Sequence, residues 1–278
     1  MQNELRKINI TEDKLGGSLF RNLQELWGFR ALIFSLVERH LRARYRGSAL
    51  GFIWSFLNPL CLILVYALVF KYYMRFDQQK NYALYIFSGL LPWIWFSSSL
   101  VESTGSISSS GSLITKAMFP PQILPFVSIL TNLCHFIFAV PIIIIYMLMV
   151  GVTPSIGALL FFPIVVFSQL TFLFGVSLIL ATFNVFYRDI QHILGNFITF
   201  LFFLCPIVYP IETIPERFRF TYLLNPVAWY TKFYQDIFYY AQVPQFKYVF
   251  VSLLVGLVFL IIGSFVFNEK REILAELV

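Results

Sequence analysis

Five stretches of more than 20 residues carry no charged side chain: Gly47–Phe70 (24 residues), Asn81–Val101 (21), Ala117–Tyr187 (71), Ile190–Ile211 (22) and Tyr248–Asn268 (21). A helix needs about 20 apolar residues to cross roughly 30 Å of hydrocarbon, so four of these stretches fit one span each. The 71-residue stretch is too long for one. Near its middle, Gly151-Val-Thr-Pro154-Ser-Ile-Gly157 reads as a turn, because Gly and Pro interrupt a helical pattern. It therefore holds two spans, about 123–149 and 158–186. The pattern predicts an all-α polytopic membrane protein with six transmembrane helices in a domain over 47–268, and a short tail over 269–278.

Three segments do not read as ordinary spans. In the first, residues 1–46, Leu19, Phe20, Leu23, Leu26 and Trp27 recur at helical spacing, then Phe29, Leu32, Ile33, Leu36, Val37 and Leu41. Ser35, Glu38, Arg39, Arg42 and Arg46 occupy the opposite face. This predicts an N-terminal amphipathic helix lying in the membrane interface. Its arginines have two readings. They meet anionic lipid, or Arg42, Arg44 and Arg46, beside the mouth of the first span, hold a phosphate-bearing head group, a task for which the planar guanidinium fork is suited.

The second segment, 103–122, is STGSISSSGSLITKAMFPPQ. Its Ser and Gly argue against a long helix at its start, while Leu113–Phe119 predicts a short helix stopped by Pro120-Pro121, a projection that a docking partner could grip. The third, 210–246, has 11 aromatics and six charges in 37 residues. Within it Tyr230, Phe233, Tyr234, Ile237, Phe238 and Ala241 form one helical stripe. Either it is a re-entrant hairpin that caps a pore and offers flat rings to sugars, or it is an aromatic belt anchoring the outer interface.

Composition narrows the function classes. Apolar residues make up 59%, charged residues 12%, and the mean hydropathy is +0.77, whereas a soluble domain carries about 25% charged residues. A soluble enzyme or a nucleic-acid-binding domain is excluded on that ground, despite the net charge of +6. An even number of spans puts both termini on one side. Residues 1–46 alone carry nine Lys and Arg, so the positive-inside rule places both termini in the cytoplasm. The N-terminus has no apolar h-region, so no cleavable signal peptide is expected. Cys61, Cys134 and Cys205 lie in apolar stretches and read as small buried hydrophobes rather than disulfide or metal ligands.

Chemistry-bearing motifs are absent from the sequence. No GxxxxGK[ST], HExxH or GxSxG occurs, so no ATP site, catalytic residue or metal site is expected in this chain. A membrane transferase would need grouped carboxylates, and the outer segment offers only Glu212, Glu216 and Asp236. His135 is the one ionisable group well inside a span, and it reads as a packed histidine rather than a proton relay. The chain is thus expected to move something without powering the movement, as a pore or as a permease driven by a separate motor.

Several strings add a resemblance. RARYRGSALGFIWSFLNPL (42–60), GLLPWIWFSSSLVESTGSI (89–107), LITKAMFPPQILP (113–125), ATFNVFYRDIQHIL (181–194), PIVYPIETIP (206–215) and LLNPVAWY (223–230) resemble the membrane subunits of type-2 ABC exporters. Within that group they are similar to permeases that export O-antigen, capsular polysaccharide or teichoic acid. The resemblance covers about residues 25–270. It implies a homodimer in a bacterial plasma (inner) membrane, with two copies of a separate ABC ATPase that carries ATP and Mg, and a lipid-linked glycan as substrate. It also implies that Ser106, Leu113, Lys116, Phe119, Arg188 and Asp189 couple to the ATPase, with Arg42, Arg44 and Arg46 receiving the lipid phosphate. Tyr66, Trp93, Trp95 and Phe96 are the candidates for an aromatic channel, and Trp229, Tyr230 and Tyr234 for an outer gate between spans five and six. The same skeleton serves type-2 permeases for a small lipid or drug, and that alternative stays open.

Overall fold

A computed structural model of the chain describes residues 17–44, 46–48, 51–73, 80–110 and 119–277. Leu113 and Lys116 lie outside the described residues, as does most of the short helix expected over 113–119. The described residues form helices joined by turns, with no strand among them. Residues 17–28 form α1, and Arg30–Arg44 forms α2. Helix α3 (Trp54–Ala67) is entered by a 3-10 turn and left by a π turn, Leu68–Tyr73. There follow α4 (Tyr82–Ser106), α5 (Ile123–Met149), α6 (Ile156–Phe186), α7 (Asp189–Leu204), the short α8 (Arg219–Leu223), α9 (Pro226–Phe238) and α10 (Phe246–Leu277).

Among the described residues, four helices are long and apolar enough to cross a membrane: α4, α5, α6 and the Phe246–Arg271 part of α10. The turn between α5 and α6 lies where the Gly/Pro pattern put it. Gly151 takes φ +77°, and Ser155 caps α6 by accepting from the Ala158 N–H at 3.4 Å. The stretch 190–211 behaves differently from its expectation as a single span. Helix α7 has 16 residues, about 24 Å at 1.5 Å per residue. It stops before Pro206 because the residue preceding a proline is pushed out of the helical region, and Cys205 sits at φ −94°, ψ 137°.

The carbonyls freed by that break are satisfied from other helices. Gln235 Nε2 donates to Pro206 O at 2.7 Å, and the Tyr85 hydroxyl reaches Pro206 O and Tyr209 O at 3.1 and 2.8 Å. The Tyr82 hydroxyl donates to Val208 O. Irregular backbone among apolar helices needs such partners, because no water is there to supply them.

Helix α4 is the centre of the bundle, packed against α3, α5, α6, α7 and α9. Helix α10 runs along α6 with the two backbones in direct contact. A Cβ added at Gly175 would overlap the backbone of Phe259 and Leu260, and one at Gly263 would overlap the Gly175 carbonyl. Hydroxyls and amides stitch the apolar helices together. Ser103 Oγ donates to Ser177 Oγ at 2.8 Å, Gln169 Nε2 to Pro92 O at 3.2 Å, and the Trp95 indole to Ile129 O at 3.4 Å.

The helices alternate in direction and gather their ends in two places. At one end the Asn81 amide donates to Val150 O and the Tyr239 hydroxyl to Lys80 O, beside the segment that carries α8 and α9. At the other, Asn268 donates to Ser18 O at 3.0 Å and Arg271 pairs with Glu25 at 2.8 Å. The N-terminal arm and the C-terminal helix end therefore share one side. Gln122, at the start of α5, joins them through Asn22 and Glu25. Burial pushes the Glu25 carboxyl up, but the bonds from Arg271 and Gln122 outweigh it and hold the group below the ordinary value of 4.5.

Candidate transport surface

Helices α4 and α7 leave an open surface between them. Nearer the arm, Glu102, Gly105, Ser108 and Ser109 of α4 and the turn after it face Asn184, Arg188, Gln191 and His192 across a cleft of about 580 Å³. Asn184 Nδ2 donates to Ser108 Oγ at 3.1 Å, so the α6–α7 junction is tied to the end of α4. Further along, Trp93, Ile94, Ser97 and Ser98 face Leu62 of α3 and Ile198, Thr199, Phe202 and Phe203 of α7, around a groove of about 440 Å³. The surface thus passes from hydrogen-bonding and cationic groups to serines and then to aromatic rings. Helical spacing produces this on α7: Arg188, Gln191, His192, Asn196 and Thr199 recur at three and four residues along an otherwise apolar sequence.

The candidate aromatics divide into two sets. Trp93 sits at the groove, its ring 5.5 Å from Phe202 and 5.6 Å from Phe96. Trp95 points the other way and stacks on Phe136 at 5.3 Å, with 1% of its surface exposed. Phe96 stacks on Phe172 at 6.4 Å inside the bundle. Tyr66 belongs to α3, and its side chain lies outside the described part of the molecule.

Helix α9 carries the outer stripe. Asn225 accepts from the Val227 N–H at 3.1 Å and Pro226 opens the helix, which fixes where it starts. Tyr230, Phe233, Tyr234, Ile237 and Phe238 are all buried against α4, α5 and α6. The Tyr230 hydroxyl lies 3.1 Å from Ser168 Oγ and also reaches Ser168 O and Ser252 O. The Tyr234 ring meets Phe136 edge-on at 5.4 Å. Trp229 is half-buried, and its indole donates to Tyr222 O at 3.2 Å.

The arginines of the arm also separate. Arg42 pairs with Glu38 one helical turn earlier, and Arg46 stands in the turn after α2, both on an exposed basin of about 490 Å³ with Arg39. Arg44 turns inward. It donates to Asn132 Oδ1 at 3.2 Å and lies 3.5 Å from Glu102, while Asn132 Nδ2 donates to Glu102 at 2.7 Å. Burial and the Arg39 charge hold the nearby His40 below its ordinary 6.5, with Glu102 pulling the other way. Glu102 and Asn132 were not among the sequence candidates. The signal for Asn132 was an amide in the middle of an apolar helix.

Of the coupling candidates, Ser106 closes α4 with its hydroxyl on Ser103 O at 2.7 Å, Phe119 is buried, and Arg188 and Asp189 are exposed where α7 begins. Helix α4 ends at Ser106 and gives way to a turn, and among the described residues no long helix follows from the Ser and Gly at the start of 103–122. Ser103, Thr104 and Ser106 bond back to carbonyls three or four residues earlier, which suits hydroxyls to an apolar helix.

Residues 31–239 match the family model described as "ABC-2 type transporter". The chain belongs to the ABC-2 type transporter family. Among the proteins this transporter chain resembles is the "O-antigen export system permease protein RfbA" of Myxococcus xanthus, 41% identical over 93% of this chain and 99% of that protein. A protein of the same name from Klebsiella pneumoniae is 31% identical over 88% of this chain and 94% of its own length. The "Polysialic acid transport protein KpsM" of Escherichia coli is 24% identical over 87% of this chain and 95% of that one.

Proposed function

We propose that this ABC-2 transporter chain is the permease subunit of an ATP-driven exporter that carries a lipid-linked polysaccharide, an O-antigen above all, across a bacterial inner membrane. The observation that carries the proposal is the α4–α7 surface, graded from Arg188 and His192 through serines to Trp93 and Phe203. It stands in a chain 41% identical to a protein named for O-antigen export. Hydroxyls, amides and flat rings suit a polymer that must slide without being held.

Two copies pair through the flank that one chain leaves open. Along α7 only Leu194 and Phe202 are buried, while Ile193, Phe197, Phe200 and Phe203 are each more than half exposed. Helix α3 and the shortened α7 complete a set of six spans, with both termini in the cytoplasm and α1–α2 in the interface. Two copies of a separate subunit bind ATP and Mg and seat against Ser106, Leu113, Lys116, Phe119, Arg188 and Asp189. Arg42 and Arg46 receive the lipid phosphate on the arm's outer basin, with Arg44 nearby and paired with Glu102.

The α8–α9 hairpin enters the outer part of the membrane as a gate. Its depth supports this: Tyr230 touches Ser168, twelve residues into α6 and so about 18 Å along that helix. The test is to purify the chain with the ATPase encoded beside it and measure hydrolysis in lipid with lipid-linked glycan added. A stable complex of two permeases and two ATPases, stimulated by the glycan, is the expected result. Failure to bind any ATPase overturns the proposal.

A further inference from the structure

The α8–α9 hairpin and the start of α10 enclose a separate cavity that the α4–α7 surface does not reach. Its volume is about 410 Å³, within the range of roughly 300–1,000 Å³ that takes small ligands. Tyr222, Trp229, Phe233 and Tyr248 supply aromatic walls. The bond from the Trp229 indole to Tyr222 O fixes that ring in place.

The polar groups of the wall decide which ligand fits. Lys232 donates to Asp236 Oδ1 at 2.6 Å, and Gln242 Nε2 donates to the same oxygen at 3.0 Å. Asp236 Oδ2 takes neither bond and remains an acceptor on a side chain only 11% exposed. Lys232 lies 4.2 Å over the Tyr240 ring, so its charge is shared between a carboxylate and a π face. Lys247 and Gln245 complete the polar wall, so an anionic head group that reached Lys247 would also meet the Asp236 carboxylate. An acyl chain would lie over the Lys232–Asp236–Gln242 group and use none of its remaining hydrogen-bonding capacity, Asp236 Oδ2 included. A neutral sugar ring meets both demands, laying apolar C–H faces on the aromatic walls and giving hydroxyl donors to Asp236.

We infer that this cavity is a saccharide subsite at the outer face, taking one or two neutral glycosyl units. The assignment of its ligand to the exported chain rests on the export reading above. It would hold the emerging glycan beside the hairpin between transport steps.

The experiment uses the full-length chain in lipid nanodiscs and a short, lipid-free oligosaccharide released by mild acid from the host's surface glycan. Binding is read by saturation-transfer NMR and by tryptophan fluorescence. The wild-type chain is expected to bind it, and Asp236→Asn and Trp229→Leu each to weaken binding roughly tenfold or more, the scale of one lost charge-assisted hydrogen bond or stacking face. Tyr248→Leu, at an exposed position on the rim, is expected to weaken it with the melting temperature unchanged, which guards against a folding artefact. An unrelated dextran fragment that binds equally well would still support a saccharide subsite while removing its link to the exported glycan. Wild-type binding that all three variants retain, or no binding at all, overturns the subsite. So does a co-purifying phospholipid that Asp236→Asn releases and the oligosaccharide cannot displace. Glycan-stimulated ATP hydrolysis measured in parallel separates the two proposals, since it survives if the subsite alone is wrong.

Discussion

Gly175 and Gly195 stand on neighbouring helices, α6 and α7, in very different surroundings. A side chain at Gly175 would run into the backbone of Phe259 and Leu260, whereas one at Gly195 would meet nothing within 4 Å. The same contrast extends over both regions. The α4–α6–α10 body completes its packing within one chain, with Trp95 fully enclosed, Ser103 bonded to Ser177, and glycines setting the helix separation. Helix α7 exposes most of its side chains, including Phe200 at 61%. A body already closed in the single chain carries the fold. A flank left open carries what the fold is for, because exposed aromatic side chains interleaved with polar ones are suited to a second copy, a lumen or lipid.

Substitutions can break this contrast, and the largest effect is expected at Trp95. Trp95→Ala leaves a cavity between α4 and α5 and should cost about 3–5 kcal/mol, read as loss of the folded peak after heating and size exclusion. Phe200→Ala on α7 should move the same readout by no more than about 0.5 kcal/mol. Equal losses at the two sites would erase the distinction between body and flank. Next comes Gly175→Val, expected to cost about 1–3 kcal/mol by forcing α6 and α10 apart. Gly195→Leu should melt with the wild type yet lower glycan-stimulated ATP hydrolysis. A Gly195→Leu chain that transports normally would show that α7 faces lipid.

At the arm the expected loss is smaller than at Trp95 or Gly175. The Glu25 carboxyl is held below 4.5 in the folded chain. Its contribution is therefore complete above that value and is lost as pH falls through the lower folded value. Glu25→Gln should cost on the order of 1 kcal/mol at neutral pH and flatten the acid limb of the melting curve. An unchanged acid limb would place the sensitivity elsewhere.

The spans were legible where punctuation and apolar length agree. Pro120-Pro121 and Gly151 bracket α5, and its observed limits, Ile123–Met149, coincide with those read from the sequence. Helix α6 begins two residues before its expected start because Ser155 supplies a cap. Helix α7 ended early because a charge-free run says nothing of Pro206 inside it. Arg44 separates from Arg42 for a reason present in the pattern: residues two apart lie on nearly opposite sides of a helix, whereas Glu38, four before Arg42, shares its side. Which way Trp93 and Trp95 point was hidden, since α4 has apolar neighbours almost all round and its own periodicity selects no face.

The collar at the arm's end joins α1 to α10. Ser18 and Asn268 are 250 residues apart in sequence, and Glu25 and Arg271 are 246. During synthesis α1 can meet Gln122 at the start of α5 long before its partners on α10 have emerged. A chain cut short before residue 268 lacks the Asn268 amide and the Arg271 guanidinium that α1 meets, while Glu25 keeps Arg21 and Gln122. Closure of the collar reports that α10 has been made and has turned back, so a subunit lacking that helix is distinguishable from one that has it before either meets a partner.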